Sequence, residues 1–66
     1  MSKLQLSTYI YSLDNIEKAC TIYKDYAKIK IKKKHNRVEL IFDRCRYDSE
    51  ITIKEFENYL INIENS

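Results

Sequence analysis

The stretch AKIKIKKKHNRVELIFD, residues 27–43, alternates apolar and polar side chains with a period of two on both sides of a short polar break. Ala27, Ile29 and Ile31 share one face of an extended segment, and Lys28, Lys30 and Lys32 share the other. After the break, Val38, Leu40 and Phe42 point one way while Arg37, Glu39, Ile41 and Asp43 point the opposite way. Successive side chains of a β-strand lie on opposite faces, so the pattern reads as two half-buried strands. KKHN between them is a polar tip of hairpin length. An antiparallel hairpin is expected, with lysines facing Glu39 or Asp43 across its outer surface, each such pair worth about 0.2–1 kcal/mol.

The period changes on either side of the hairpin. Upstream, KLQLSTYIY alternates Leu4, Leu6, Thr8 and Ile10 against Gln5, Ser7, Tyr9 and Tyr11, which predicts a further strand with both tyrosines on its outer face. SLDNIEKACTIYKDYA then repeats Leu13, Ile16, Cys20, Tyr23 and Ala27 at intervals of three and four, widened by Ala19 and Tyr26. That is the stripe of an amphipathic helix. Ser12 is its natural N-cap, and Asp14 suits the positive end of the helix dipole. Downstream, RCRYDSE reads as a loop or strand extension. ITIKEFENYLINIEN carries Ile53, Phe56, Leu60 and Ile63 at helical spacing, flanked by Tyr59. Thr52 with Glu55 three residues on is a candidate capping box, and Ser49 an earlier cap. The order β-α-β-β-α predicts an α+β fold: a two-layer sandwich of a three-stranded sheet with two helices on one face, as a single domain over residues 1–66.

The totals narrow the function classes. A chain of 66 residues buries only about 60% of the surface its unfolded form exposes, so a deep catalytic cleft is not expected. At 44% hydrophobic and 33% charged, the composition is that of a folded domain rather than a disordered one. No apolar run approaches the roughly 20 residues of a membrane span. Ser2, Lys3, Gln5, Ser7 and Thr8 interrupt any signal-peptide core, and a cytoplasmic location is the expectation. Gly and Pro are both absent, which excludes glycine-rich phosphate loops and leaves turns to Asn, Asp, Ser and His. Cys20 and Cys45 lie 25 positions apart, and with His35 as the one histidine they make a poor zinc set. No metal and no cofactor are expected. Cys20 falls on the helix stripe and reads as packing. Cys45, between Arg44 and Arg46, would favour the thiolate where exposed.

No catalytic constellation appears. His35 sits at the hairpin tip among lysines, with nothing in sequence to orient or desolvate it beside a nucleophile. The carboxylates form no pair suited to acid–base work, so the chain is not expected to be an enzyme. The basic run is the strongest local anomaly. Six of the twelve cationic residues fall between Lys28 and Arg37; removing those six from the net charge of +2 leaves the rest of the chain at −4. Alternating lysines are what any solvent-facing strand shows, and lysine on a sheet edge discourages aggregation. A concentrated positive field also recruits acidic peptides or phosphate backbones. With few arginines to fork onto phosphates, a protein or peptide partner is preferred over nucleic acid, and no membrane is implicated. The candidate partner surface is Lys28, Lys30, Lys32, Lys33, Lys34 and Arg37, with Tyr9 and Tyr11 beside them. Tyr47 is a further contact candidate, whereas Tyr23, Tyr26 and Tyr59 lie at core or boundary spacing. A domain this small commonly gains burial by association, so a homodimer is a further expectation.

YSLDNIEKACTIYKDYAKIKI resembles the opening of the HxsD-like proteins of the His-Xaa-Ser peptide system. Those begin with a strand, then a Tyr-Ser-Leu helix start, an Ile-x-x-Ala helix and a run into a second strand. The matching positions are Tyr11, Ser12, Leu13, Ile16 and Ala19, and more loosely Tyr26 and Ala27. FENYL is similar to the later Phe-x-Asn-x-Leu helix of that family through Phe56, Asn58 and Leu60. The resemblance implies a small accessory protein, without catalysis of its own, that binds the precursor peptide or the radical-SAM maturase. It implies that any iron–sulfur cluster belongs to the maturase, and this chain has no clustered thiolates to hold one.

Overall fold

A computed structural model describes residues 2–65. The elements run β1 (Ser2–Ser7), α1 (Leu13–Ile22), β2 (Lys28–Lys33), β3 (Arg37–Asp43) and α2 (Ser49–Glu64). The fold is α+β in the expected order. The sheet order is β1-β3-β2, with both neighbours antiparallel to β3. β3 therefore occupies the centre, and β1 and β2 are both edges.

The register carries the alternation of the sequence into three dimensions. Leu4 and Leu6 oppose Leu40 and Val38, and Ile29 and Ile31 oppose Phe42 and Leu40, so all the apolar partners share one face. Both helices cover that face: Ile16 and Ala19 of α1 and Phe56 and Leu60 of α2 join Leu6, Val38, Leu40 and Phe42 in one buried cluster. Phe56 lies at its centre, edge-on to Phe42 at 5.3 Å and to Tyr23 at 5.5 Å between ring centroids. Edge-to-face pairs of this kind add about 0.5–1.5 kcal/mol beyond their buried area.

The helix ends follow local chemistry. Ser12 caps α1, its hydroxyl accepting from the Asn15 amide at 3.2 Å. The N-cap of α2 lies one residue before the Ser49 cap read from sequence: it is Asp48, whose carboxylate accepts from the Glu50 amide at 2.9 Å. Thr52 makes no capping box. It is buried, and its hydroxyl donates back to the Asp48 carbonyl at 2.9 Å, as a mid-helix threonine does. A carboxylate ties the two helices. Glu64, at the end of α2, accepts from the Ser12 amide at 2.7 Å and from Asn15 Nδ2 at 2.8 Å. It thus places negative charge at the amide-rich start of α1. The hydrogen bonds from Asn15, and then from Ser12, hold its pKa below the ordinary glutamate value.

Three readings from the sequence need correction. β1 stops at Ser7 instead of running on to Tyr11, because the Ile10 and Tyr11 amides turn back to the Ser7 carbonyl at 3.2 and 3.0 Å. Ile10 is consequently 68% exposed rather than core-facing, and Tyr11 packs half-buried against the core rather than on the outer face. α1 ends at Ile22, short of the predicted stripe, and Tyr26 lies in the following turn at 42% exposure rather than at a core or boundary position. Finally, Glu39 and Ile41 face away from the helices yet are each only 7% exposed. They lie on the central strand, where Gln5 and Lys32 flank Glu39 and Lys3 and Lys30 flank Ile41. The stems of long side chains from two neighbouring strands cover whatever lies between them.

Candidate functional site

The basic residues gather on β2 and its turn, and the edge position of β2 gives them their character. Lys28, Lys30 and Lys32 stand on the outer face opposite Asp43, Ile41 and Glu39. Glu39 accepts from Gln5 Nε2 at 3.4 Å on its other side. Lys33, paired with Val38, falls on the helix-side face, yet it is exposed on the edge strand while Val38 on the central strand is buried. Ile31 on the same face is 36% exposed, whereas its partner Leu40 on the central strand is fully buried. β2 is the least covered strand of the sheet: every residue but Ile29 is exposed. Among the described residues, no strand lies beside its outer backbone edge.

At the tip, the Lys34 amide donates to the Arg37 carbonyl at 2.8 Å and closes the hairpin around His35 and Asn36. Lys34, His35, Asn36 and Arg37 line a shallow depression of about 390 Å³. The turn after β1 braces this tip. The Thr8 amide donates to the Asn36 carbonyl at 3.2 Å, and the Tyr9 hydroxyl donates to Asn36 Oδ1 at 3.1 Å. Tyr9, 81% exposed, therefore presents its ring beside the basic tip. Of the eight sequence-predicted residues, Lys28, Lys30 and Lys32 share the outer face of β2, Lys33 lies on the opposite face, and Lys34 and Arg37 flank the tip that Tyr9 braces. Tyr11 lies apart from them, packed against the core. Asn36 was missed as an organising residue, and its place in an Asn-bearing polar turn was the signal available for it.

The opposite end of the sheet has a different chemistry. The turn after α1 and the loop after β3 meet there, joined by the Arg46 amide donating to the Tyr26 carbonyl at 2.7 Å. Between them lies a groove of about 280 Å³ lined by Ile22, Tyr23, Tyr26, Tyr47, Thr52 and Glu55. Among the described residues, no three His, Cys, Asp or Glu side chains come together as a metal site, and no helix is long and apolar enough to cross a membrane. Both cysteines are free and half-buried. Burial, aided by Glu17, pushes the Cys20 thiol up to about 11, so it stays protonated near neutrality. Cys45 is half-buried against the core.

Comparison of this chain with protein-family models, with curated proteins and with solved structures finds no match.

Proposed function

We propose that the chain is a non-catalytic, cytoplasmic adaptor that binds an acidic, extended segment of a precursor peptide or its radical-SAM maturase along the open edge of β2. The observation that carries this reading is the coincidence of a free strand edge with the lysine row of the same strand. An added strand would complete the backbone hydrogen bonds of β2, the mode in which edges accept peptides. Its side chains toward the outer face would meet Lys28, Lys30 and Lys32, and those toward the helix face would meet Ile29 and Ile31. The segment that fits alternates acidic and aliphatic residues. The same lysines oppose pairing of β2 with a second copy of itself, since like charges would be brought together. The resemblance of Tyr11, Ser12, Leu13, Ile16 and Ala19 to the HxsD-like helix start supports the choice of partner.

A second reading, nucleic-acid binding, is favoured by one observation: the exposed Tyr9 ring, bonded through its hydroxyl to Asn36 in the turn between Lys34 and Arg37, is a stacking surface on the basic tip. One experiment separates the two. Fluorescence anisotropy is followed with a labelled peptide alternating Glu and Val and with labelled single- and double-stranded nucleic acid, over a salt series. The adaptor reading expects peptide binding that falls at least about tenfold when Lys28, Lys30 and Lys32 are all replaced by Glu. Association unchanged by that triple reversal removes the edge assignment. Nucleic-acid binding with a steep log–log salt slope, unaccompanied by peptide binding, establishes the second reading instead.

A further inference from the structure

The groove at the far end of the sheet from the hairpin tip is built of three tyrosines and a carboxylate. Tyr23 and Tyr26 lie 5.7 Å apart between centroids, tilted by 54°, and Tyr26 and Tyr47 lie 6.3 Å apart at 35°. Glu55 on α2 and Ile22 at the end of α1 complete the wall. Hydrogen bonding holds the two contributing loops together, through Arg46 and Tyr26, so the rings are carried on a tied frame.

Three features give this groove a chemical preference. Ring faces carry the negative side of the aromatic quadrupole and attract cations within about 6 Å. Glu55 adds a formal negative charge to the same lining. The chain itself shows the tendency, since the Arg46 guanidinium stands 5.9 Å over the Tyr47 ring without belonging to the groove lining. The Tyr23 phenol is held above its ordinary pKa, first by burial and then by Glu55, Tyr26 and Tyr59. A volume of about 280 Å³ lies just under the roughly 300–1,000 Å³ of small-molecule sites, a size suited to one side chain rather than a cofactor.

We propose that the groove of Tyr23, Tyr26, Tyr47 and Glu55 is a binding site for the guanidinium of an arginine side chain on a partner polypeptide. The planar cation stacks on the tyrosine faces while its N–H groups reach the Glu55 carboxylate, the pairing for which a guanidinium is better shaped than an ammonium. The site is independent of the β2 edge and opposite to it in charge preference. A partner engaging both would present an acidic strand to β2 and an arginine to the groove.

The test uses the full chain, isotopically labelled, titrated with N-acetyl-arginine methylamide and, in parallel, with the neutral isostere N-acetyl-citrulline methylamide. Arginine is expected to give saturable amide shifts at Tyr23, Tyr26, Tyr47 and Thr52, with a dissociation constant of about 1–10 mM as for a small fragment, and citrulline none. Glu55→Gln is expected to weaken binding about three- to fivefold, the worth of one exposed ion pair. Tyr47→Ala is expected to weaken it about two- to fivefold through loss of one cation–π face. Both positions are exposed, so both variants keep the fold, as the dispersion of the same spectra records. Equal shifts from citrulline, no saturation with arginine, or wild-type affinity in both variants overturns the assignment.

Discussion

Arg44 is the described residue that adopts a left-handed backbone, at φ 51°, in a chain without a single glycine. It follows the last residue of β3, where the chain must turn sharply toward α2, and its amide donates to Asp43 Oδ1 at 2.9 Å. A residue with a Cβ in that region costs about 1–2 kcal/mol relative to its preferred conformations. Its side chain is exposed, so little packing offsets that cost. Arg44→Gly is therefore expected to raise the unfolding free energy by about 1 kcal/mol, the relief being partly offset by the greater freedom of glycine in the unfolded chain. Urea denaturation with an unchanged m-value measures it; a destabilised variant would show that the arginine side chain holds the turn. Nothing in RCRYDSE marks this position beforehand, because the strain arises from where β3 ends and α2 begins.

Among the elements, the junction of the two helices has a titratable bond at its centre. Glu64 accepts from Ser12 and Asn15 at the start of α1, and those hydrogen bonds lower its pKa. A carboxyl whose folded pKa is depressed stabilises the fold fully above its unfolded value, here the ordinary 4.5, and the contribution disappears as pH falls through the lower folded value. Glu64→Gln is expected to melt below the wild type at pH 7, with the gap closing on acidification below pH 4.5; an equal gap at both ends of a pH series of thermal melts would contradict this. The elements also show where periodicity suffices and where it fails. The alternation of Ile29, Ile31, Val38, Leu40 and Phe42 placed the right residues on the helix-side face, and Ser12 capped α1 as read. The same alternation misled at Thr8 through Tyr11, where a turn preserves the polarity pattern while abandoning the strand. For α2, two candidate caps were legible in Ser49 and Thr52, but Asp48 won because a carboxylate is at least as good an N-cap and adds charge at the dipole's positive end.

At the scale of the whole molecule, one buried cluster joins the sheet to both helices. Phe56 is fully buried between Phe42 of the sheet and Tyr23 at the end of α1. Domains of this size are stable by about 0.05–0.15 kcal/mol per residue, whereas truncating a buried phenylalanine costs about 3–5 kcal/mol. Phe56→Ala is therefore expected to leave a large unfolded fraction at 25 °C. Circular dichroism and proton shift dispersion report it, and a cooperative melt within a few degrees of the wild type would show that the core is shared more widely than the ring contacts suggest. Residue periodicity and charge alone determined the element order, the two faces of the hairpin, the first helix cap and the segregation of positive charge into residues 28–37. These are local properties, set by neighbours one to four positions apart. Only the tertiary structure decided that β3 lies at the centre, that β2 is an open cationic edge, and that Glu39 and Ile41 are buried on the face turned to solvent. It alone brought Tyr26, Tyr47 and Glu55 to one groove. Those outcomes depend on pairings between residues far apart in the chain, whose free energies come from packing and strand order and leave no periodic trace in the sequence.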